Sequence, residues 1–311
     1  MSGLVPAAVP LPAATDGDPR LGHLLGRALA PGTAPRAVLV GFPSDAGVRI
    51  NGGRPGAAEG PSAIRRSLYR LTPDAGCPAH RALIERTVDL GDVSIEGDLE
   101  AAQQALAKVL APVLSAGAFA IVLGGGHETA YGHFLAYALA GRTVALLNWD
   151  AHTDVRPTID GQGHSGSPFR QALEHPSRAA TRYTVAGVQP HSAAEPHLAY
   201  VRARGRVVPR RELSGTMIRE LYAQLASPAL VSFDLDLVDQ AAAPGVSAPG
   251  VDGIDVPLWL EAARGAGRCP AVASADIVEL SPPHDLDGRT ARLAARTVWE
   301  ILRGVVERPG G

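Results

Sequence analysis

The chain has 311 residues with 29 Lys+Arg against 31 Asp+Glu, a formal net charge of −2 with histidine neutral. That near-balance excludes the basic surplus of a protein that grips nucleic acid through its phosphates or lies on an anionic membrane. With 46% hydrophobic and 19% charged residues the chain is too apolar for disorder and long enough to bury a substantial core. Two distant cysteines, Cys77 and Cys269, have no metal-binding or redox spacing, which predicts a reduced, cytoplasmic protein. No apolar run approaches the roughly 18 residues of a membrane span.

Residues 1–20, broken by Pro6, Pro10 and Pro12, read as an irregular arm, and 21–311 as one domain. In chain order, Ala37–Phe42 reads as a strand, Pro61–Leu71 as a helix with proline in its first turn, and Leu99–Leu114 as an amphipathic helix. A buried strand, Phe119–Leu123, runs into Gly124-Gly125-Gly126, and Glu128–Ala140 is helical. Strands follow at Thr143–Trp149 and Arg182–Val188, a helix at Leu198–Arg204, a short strand at Arg206–Val208 and a helix at Met217–Ala226. Strand Ala229–Phe233, helix Pro257–Gly265, strand Ala271–Val278 and a long helix Arg289–Val306 complete the pattern. Apolar strands alternating with helices predict a three-layer α/β/α fold around a mostly parallel sheet. In such a sheet the ligand site lies beyond the carboxyl ends of the strands.

Those ends carry acids and histidines. Thr143–Trp149 runs into Asp150-Ala151-His152-Thr153-Asp154, and Ala229–Phe233 into Asp234-Leu235-Asp236-Leu237. If the chain stays extended, the period of two puts Asp150, His152 and Asp154 on one face, and Asp234 with Asp236. The triglycine end of Phe119–Leu123 adds His127 and Glu128. Four carboxylates this close raise one another's pKa and destabilise the fold unless positive charge sits among them. No lysine lies nearby in sequence, so divalent cations are the economical answer, two of them to balance four carboxylates. Mixed Asp/His ligation without cysteine favours an ion such as Mn2+ over zinc. The three glycines read as room for close backbone approach to the metal centre. Glu128 at the helix start argues against phosphate there.

Taken together, these segments resemble the ureohydrolase (arginase/agmatinase) superfamily over about Val38 to Val305. Its Gly-Gly-x-His, Asp-Ala-His-x-Asp and Ser-x-Asp-x-Asp segments fall on Gly125–His127, Asp150–Asp154 and Ser232–Asp236. The resemblance implies an arginase-like fold and two Mn2+ ions. His127, Asp150, Asp154 and Asp234 would hold one, and Asp150, His152, Asp234 and Asp236 the other, with Asp150 and Asp234 bridging. The family's Ala-Pro-Gly stretch looks like Ala243-Pro244-Gly245, and its late acid, which faces the amidine or guanidine, falls on Glu279.

Within the superfamily, Gly124-Gly125-Gly126-His127-Glu128, the Gly47–Ala57 loop, Ser165-Gly166-Ser167-Pro168-Phe169 and Gly187-Val188-Gln189 look most like the formimidoylglutamase branch. That implies hydrolysis of N-formimidoyl-L-glutamate to L-glutamate and formamide, a step of histidine degradation, with a water activated between two metals. Glu279 would pair with the amidinium, and Asp154 or His164 would relay a proton to the leaving amine. Ser165 takes the family's loop proton-shuttle position, with His164 one residue before it. Arg156, Arg49 and Arg54 are candidate anchors for the substrate carboxylates. The family is commonly a trimer or hexamer, which implies a homo-oligomer. The alternatives are a guanidino-acid hydrolase releasing urea and a catalytically silent ligand-binding relative.

Overall fold

The computed structural model describes residues 3–14, 16–28, 34–226 and 228–309. The described strands are β1 (Leu4–Val5), β2 (Ala37–Gly41), β3 (Thr87–Val93), β4 (Phe119–Leu123), β5 (Val144–Trp149), β6 (Ala180–Val188), β7 (Gly205–Pro209), β8 (Ala229–Asp234) and β9 (Val272–Val278). They form one sheet in the order β1-β3-β2-β4-β9-β8-β5-β6-β7. All neighbours are parallel except β1, which runs antiparallel to β3.

The helices are α1 (Leu21–Leu24), α2 (Ala46–Ile50), α3 (Gly60–Leu68), α4 (Pro78–Glu85), α5 (Leu99–Ser115), α6 (Thr129–Leu139), α7 (Pro168–Glu174), α8 (Glu195–Arg202), α9 (Gly215–Ala223), α10 (Val256–Arg268) and α11 (Arg289–Val305). Their starts have local causes. Asp98, Ser214 and Asp255 accept from the backbone N–H of Ala101, Met217 and Leu258 and so cap α5, α9 and α10.

Strand alternation sorts the core into two layers. Ile121, Leu123, Leu147, Trp149, Val231 and Ile277 pack with α3, α9, α10 and α11 on one face. Ala120, Val122, Leu146, Val185 and Leu230 pack with α5, α6, α7 and α8 on the other. The predicted three-layer α/β/α architecture is the one observed. No described helix is long and apolar enough to cross a membrane.

Two departures from the expected elements meet at one edge of the sheet. β3 was not expected, because Thr87–Val93 interrupts its apolar residues with Asp89, Gly91 and Asp92. Those acids are neutralised from another element: fully buried Arg65 on α3 donates to both Asp89 oxygens at 2.9 Å, to Asp92, and to the Gly91 carbonyl at 2.8 Å. Paired and hydrogen-bonded in this way, the acids can stay buried in a strand. Within the N-terminal segment read as an irregular arm, Leu4 and Val5 pair with Val93 and Asp92, and so cover the edge of β3.

The topology explains where the site forms. β4, β9, β8 and β5 are consecutive across the middle of the sheet, with Leu123 beside Ile277, Ile277 beside Phe233 and Phe233 beside Trp149. Their carboxyl ends deliver His127, Glu279, the Asp234–Asp236 pair and the Asp150–Asp154 segment to one place.

Candidate metal centre

Two overlapping groups of atoms that could hold a metal ion form beyond these ends. One atom each from His127, Asp150, Asp154 and Asp234 lies within 4.8 Å of the others, as does one each from Asp150, His152 and Asp236. His127 Nδ1 is 2.8 Å from Asp154 Oδ2, 2.8 Å from Asp234 Oδ2 and 3.5 Å from Asp150 Oδ2. His152 Nδ1 is 3.0 Å from Asp236 Oδ2 and 3.4 Å from Asp150 Oδ1. Asp150 is the residue common to both groups. Asp234, expected to be shared as well, falls in the first group alone, and its Oδ1 accepts from the Asp236 backbone N–H at 2.9 Å.

The residues meet by a different route from the extended chain assumed above. β5 ends at Trp149, and Asp154 lies in the left-handed region with φ 46°. Beyond β8 the backbone turns into a 3₁₀ segment, Leu235–Leu237. Tight turns, capped by Asp150 and Asp234 accepting from N–H groups two residues on, bring the ligands to one side. Leu235 and Leu237 are buried in the core.

The electrostatics call for cations. Burial pushes Asp234 well above the ordinary carboxylate range, and the neighbouring Asp236 and Asp150 add to it; burial likewise raises Asp236. The Asp236 charge drives His152 up to about 12. Burial pulls His127 down, but Asp154 and Asp234 outweigh it and hold the ring well above its usual value. Carboxylates packed this closely out of water favour positive charge among them. Fit is tested by two buried atoms, His127 Nδ1 and Asp236 Oδ1, that have no hydrogen-bond partner among the described residues. Nδ1 has carboxylate oxygens around it, yet none lies where a straight N–H bond could form. Atoms converging on a common point suit a cation better than they suit one another.

A cavity of about 170 Å³ opens over these atoms, lined among others by Glu279, Ser247, Asn51, Arg156 and Ser165. Glu279, at φ 70°, accepts from the His127 backbone N–H at 2.6 Å and from the Ser247 hydroxyl, and burial lifts its carboxyl to about 7. Asn51 joins two predicted residues: its Nδ2 donates to Ser165 Oγ at 3.0 Å, and its Oδ1 accepts from Arg156 at 3.2 Å. Asn51 and Ser247 had no assigned role in the sequence reading, since nothing in their local spacing distinguishes them from loop residues.

Three expectations are corrected. His164, expected as an acid/base, is buried with both ring nitrogens committed to the main chain: Nε2 donates to the Pro157 carbonyl at 2.9 Å and Nδ1 accepts from Gly166 at 3.1 Å. It braces the loop, and Ser165 faces the cavity instead. Arg49 and Arg54 do not line the cavity. Arg49 pairs with Asp45 one helical turn away at 3.0 Å, and Arg54 donates to the Val246 carbonyl at 2.6 Å. The glycines serve other neighbours than a metal. A Cβ on Gly125 would run into the Ser44 backbone, and one on Gly126 into the Glu128 carboxyl. That carboxyl, which accepts from Gly47 N–H at 2.8 Å, is lifted to about 8 by burial and then by Glu279.

Comparison with known proteins agrees with this geometry. Residues 35–304 match the Arginase family. Formimidoylglutamase of Nocardia farcinica is 39% identical over 293 residues, 91% of either chain. The crystal structure of Trypanosoma cruzi formiminoglutamase with Mn2+ superimposes with a TM-score of 0.85 at 32% identity, covering 94% of this chain and 100% of that one. Formimidoylglutamase from Bacillus subtilis gives a TM-score of 0.82 at 25% identity, covering 96% of this chain and 95% of its own.

Proposed function

The chain belongs to the arginase family, and on that premise we propose that it is a binuclear-manganese hydrolase of a linear amidine, converting N-formimidoyl-L-glutamate and water to L-glutamate and formamide. The observation that carries the reading is the convergence of His127, Asp150, His152, Asp154, Asp234 and Asp236, all but Asp150 lining one cavity with Glu279. The Nocardia farcinica and Trypanosoma cruzi relatives support the substrate and the metal. Other first-row divalent ions suit the same donor set.

When bound, two divalent ions would neutralise the carboxylates and supply Lewis-acid activation of water. His127, Asp150, Asp154 and Asp234 would hold one, and Asp150, His152 and Asp236 the other. Glu279, aimed into the cavity with its carboxylate held by His127 N–H and Ser247, orients the substrate amidinium. With His164 committed to its loop, Asp154 is the group that takes the proton to the leaving amine. Arg156 at the cavity mouth, steadied by Asn51, binds the glutamate carboxylates. The same reading carries a role in histidine degradation, a cytoplasmic location and a homo-oligomer, a trimer or hexamer by family resemblance.

The test is product identity. Mn2+-loaded protein offered N-formimidoyl-L-glutamate, arginine, agmatine and 4-guanidinobutyrate in turn is expected to release formamide from the first alone. Urea from any guanidino compound, without formamide, would make it a guanidino-acid hydrolase. Arg156→Ala removes a charge-assisted contact remote from the reacting carbon. It should raise KM for N-formimidoyl-L-glutamate about 10- to 100-fold and leave kcat nearly unchanged in steady-state assays.

A further inference from the structure

A buried chain of polar groups runs away from the cation-facing side of His127. His127 Nε2 lies 2.9 Å from Ser232 Oγ, and Ser232 Oγ is hydrogen-bonded to Asp276 Oδ1. Asp276 Oδ2 lies 2.7 Å from His133 Nδ1, His133 Nε2 2.7 Å from Ser274 Oγ, and Ser274 Oγ 2.7 Å from Tyr137 OH. Ser232, Asp276, His133, Ser274 and Tyr137 are all 0% exposed. The chain runs from α6 through β9 and then β8 to the metal cluster.

One carboxylate, with neutral imidazole rings on either side, sets the direction of the hydrogens. A carboxylate only accepts, so Ser232 must donate to Asp276 and turn a lone pair toward His127. His127 then carries a hydrogen on Nε2, so that in the neutral ring Nδ1 is the nitrogen presenting a lone pair, the form a cation requires. Nδ1 is the atom 2.8 Å from Asp154 and Asp234. From the other side His133 Nδ1–H donates to the second Asp276 oxygen; in the neutral ring Nε2 then receives from Ser274, and Ser274 from Tyr137. All hydrogens thus point to Asp276, and reversing any one leaves a buried acceptor facing another.

We infer that His133 and Asp276 are positioning residues for the first cation. They fix the tautomer and ring plane of His127 without touching metal or substrate, His133 by occupying the Asp276 oxygen that Ser232 does not. This rests on the two-metal reading of the site. Outer partners of this kind typically change metal affinity about 10- to 100-fold.

The experiment is Mn2+ titration of metal-free protein, followed by the electron paramagnetic resonance signal of free Mn2+. Wild type is expected to take up two ions per chain; failure there overturns the two-metal reading itself. His133→Leu should weaken one of the two sites about 10- to 100-fold and leave the other, with the coupled-pair signal replaced by that of a single ion. His133→Asn, whose amide N–H stands where Nδ1–H stood, should restore both sites; His133→Gln, which mimics the other ring nitrogen, should not. Equal, wild-type affinities in all three variants overturn the inference. So does an Asn variant no better than Gln, which would make His133 a packing residue. If His133→Leu does not fold, the Asn and Gln pair decides alone.

Discussion

Asp234→Asn, purified, incubated with Mn2+ and assayed on N-formimidoyl-L-glutamate, is expected to lose bound metal and turnover together, by at least about 100-fold, the upper end of what removal of outer partners alone costs. Asparagine keeps the size of the side chain and its carbonyl, so the turn in which Asp234 Oδ1 accepts from Asp236 N–H survives. What disappears is the charge on Oδ2, the atom that faces His127 Nδ1. An amide nitrogen there would put donors where a cation needs lone pairs. Metal content by elemental analysis and kcat/KM should fall in step, while the circular dichroism spectrum stays unchanged. Undiminished turnover at undiminished metal content would remove Asp234 from the site and would sink the two-metal reading with it.

Stripped of cations, the protein is expected to lose stability steadily as pH rises from about 5 to 9. The sign follows from proton counts. Glu279 and Glu128, lifted to about 7 and about 8, and Asp234, lifted well above its usual value, keep protons in the folded state that the unfolded chain releases around 4.5 for the glutamates and 3.8 for the aspartate. His152, raised to about 12, and His127 likewise hold protons that the unfolded chain gives up above 6.5. Across this window the folded state binds more protons than the unfolded, so unfolding free energy falls as pH rises. Each such group contributes up to about 1.4 kcal/mol per pH unit between its two values. Bound cations replace those protons. Mn2+ should therefore flatten the profile and stabilise more at high pH, by about 2.7 kcal/mol per site at one hundred times Kd. Urea unfolding at pH 5, 7 and 9, with chelator and with Mn2+, measures both effects. Chelated protein whose stability held constant or rose toward pH 9 would overturn the prediction.

Much of the fold was legible because its signals are local. Phe119–Leu123 lies between helices and alternates core contacts from one face to the other, and its observed bounds are the predicted ones. β3 was illegible because the polarity of Asp89 and Asp92 is cancelled by Arg65, more than twenty residues earlier on α3. The same distinction separates His127 from His164. Both follow a Gly-containing loop, yet one has an unpartnered ring nitrogen among three carboxylates, and the other spends both nitrogens on nearby main chain. Arg156 and Arg54 differ likewise: Arg156 lines the cavity, whereas Arg54 is tied to the Val246 carbonyl.

From its own sequence the chain determined the alternation of strands and helices and the acids and histidines at each strand end. It also determined that so many acids in company need cations, because periodicity and like-charge repulsion act over a few residues. The tertiary structure alone decided which strands are neighbours, and hence that β4, β9, β8 and β5 pool their ends. It also decided which polar group answers which: Arg65 to Asp89, Asn51 to Arg156, Asp276 to Ser232 and His133. A buried charge or hydrogen-bond donor is satisfied by whatever the fold brings within about 3 Å, and no spacing along the chain encodes that partner.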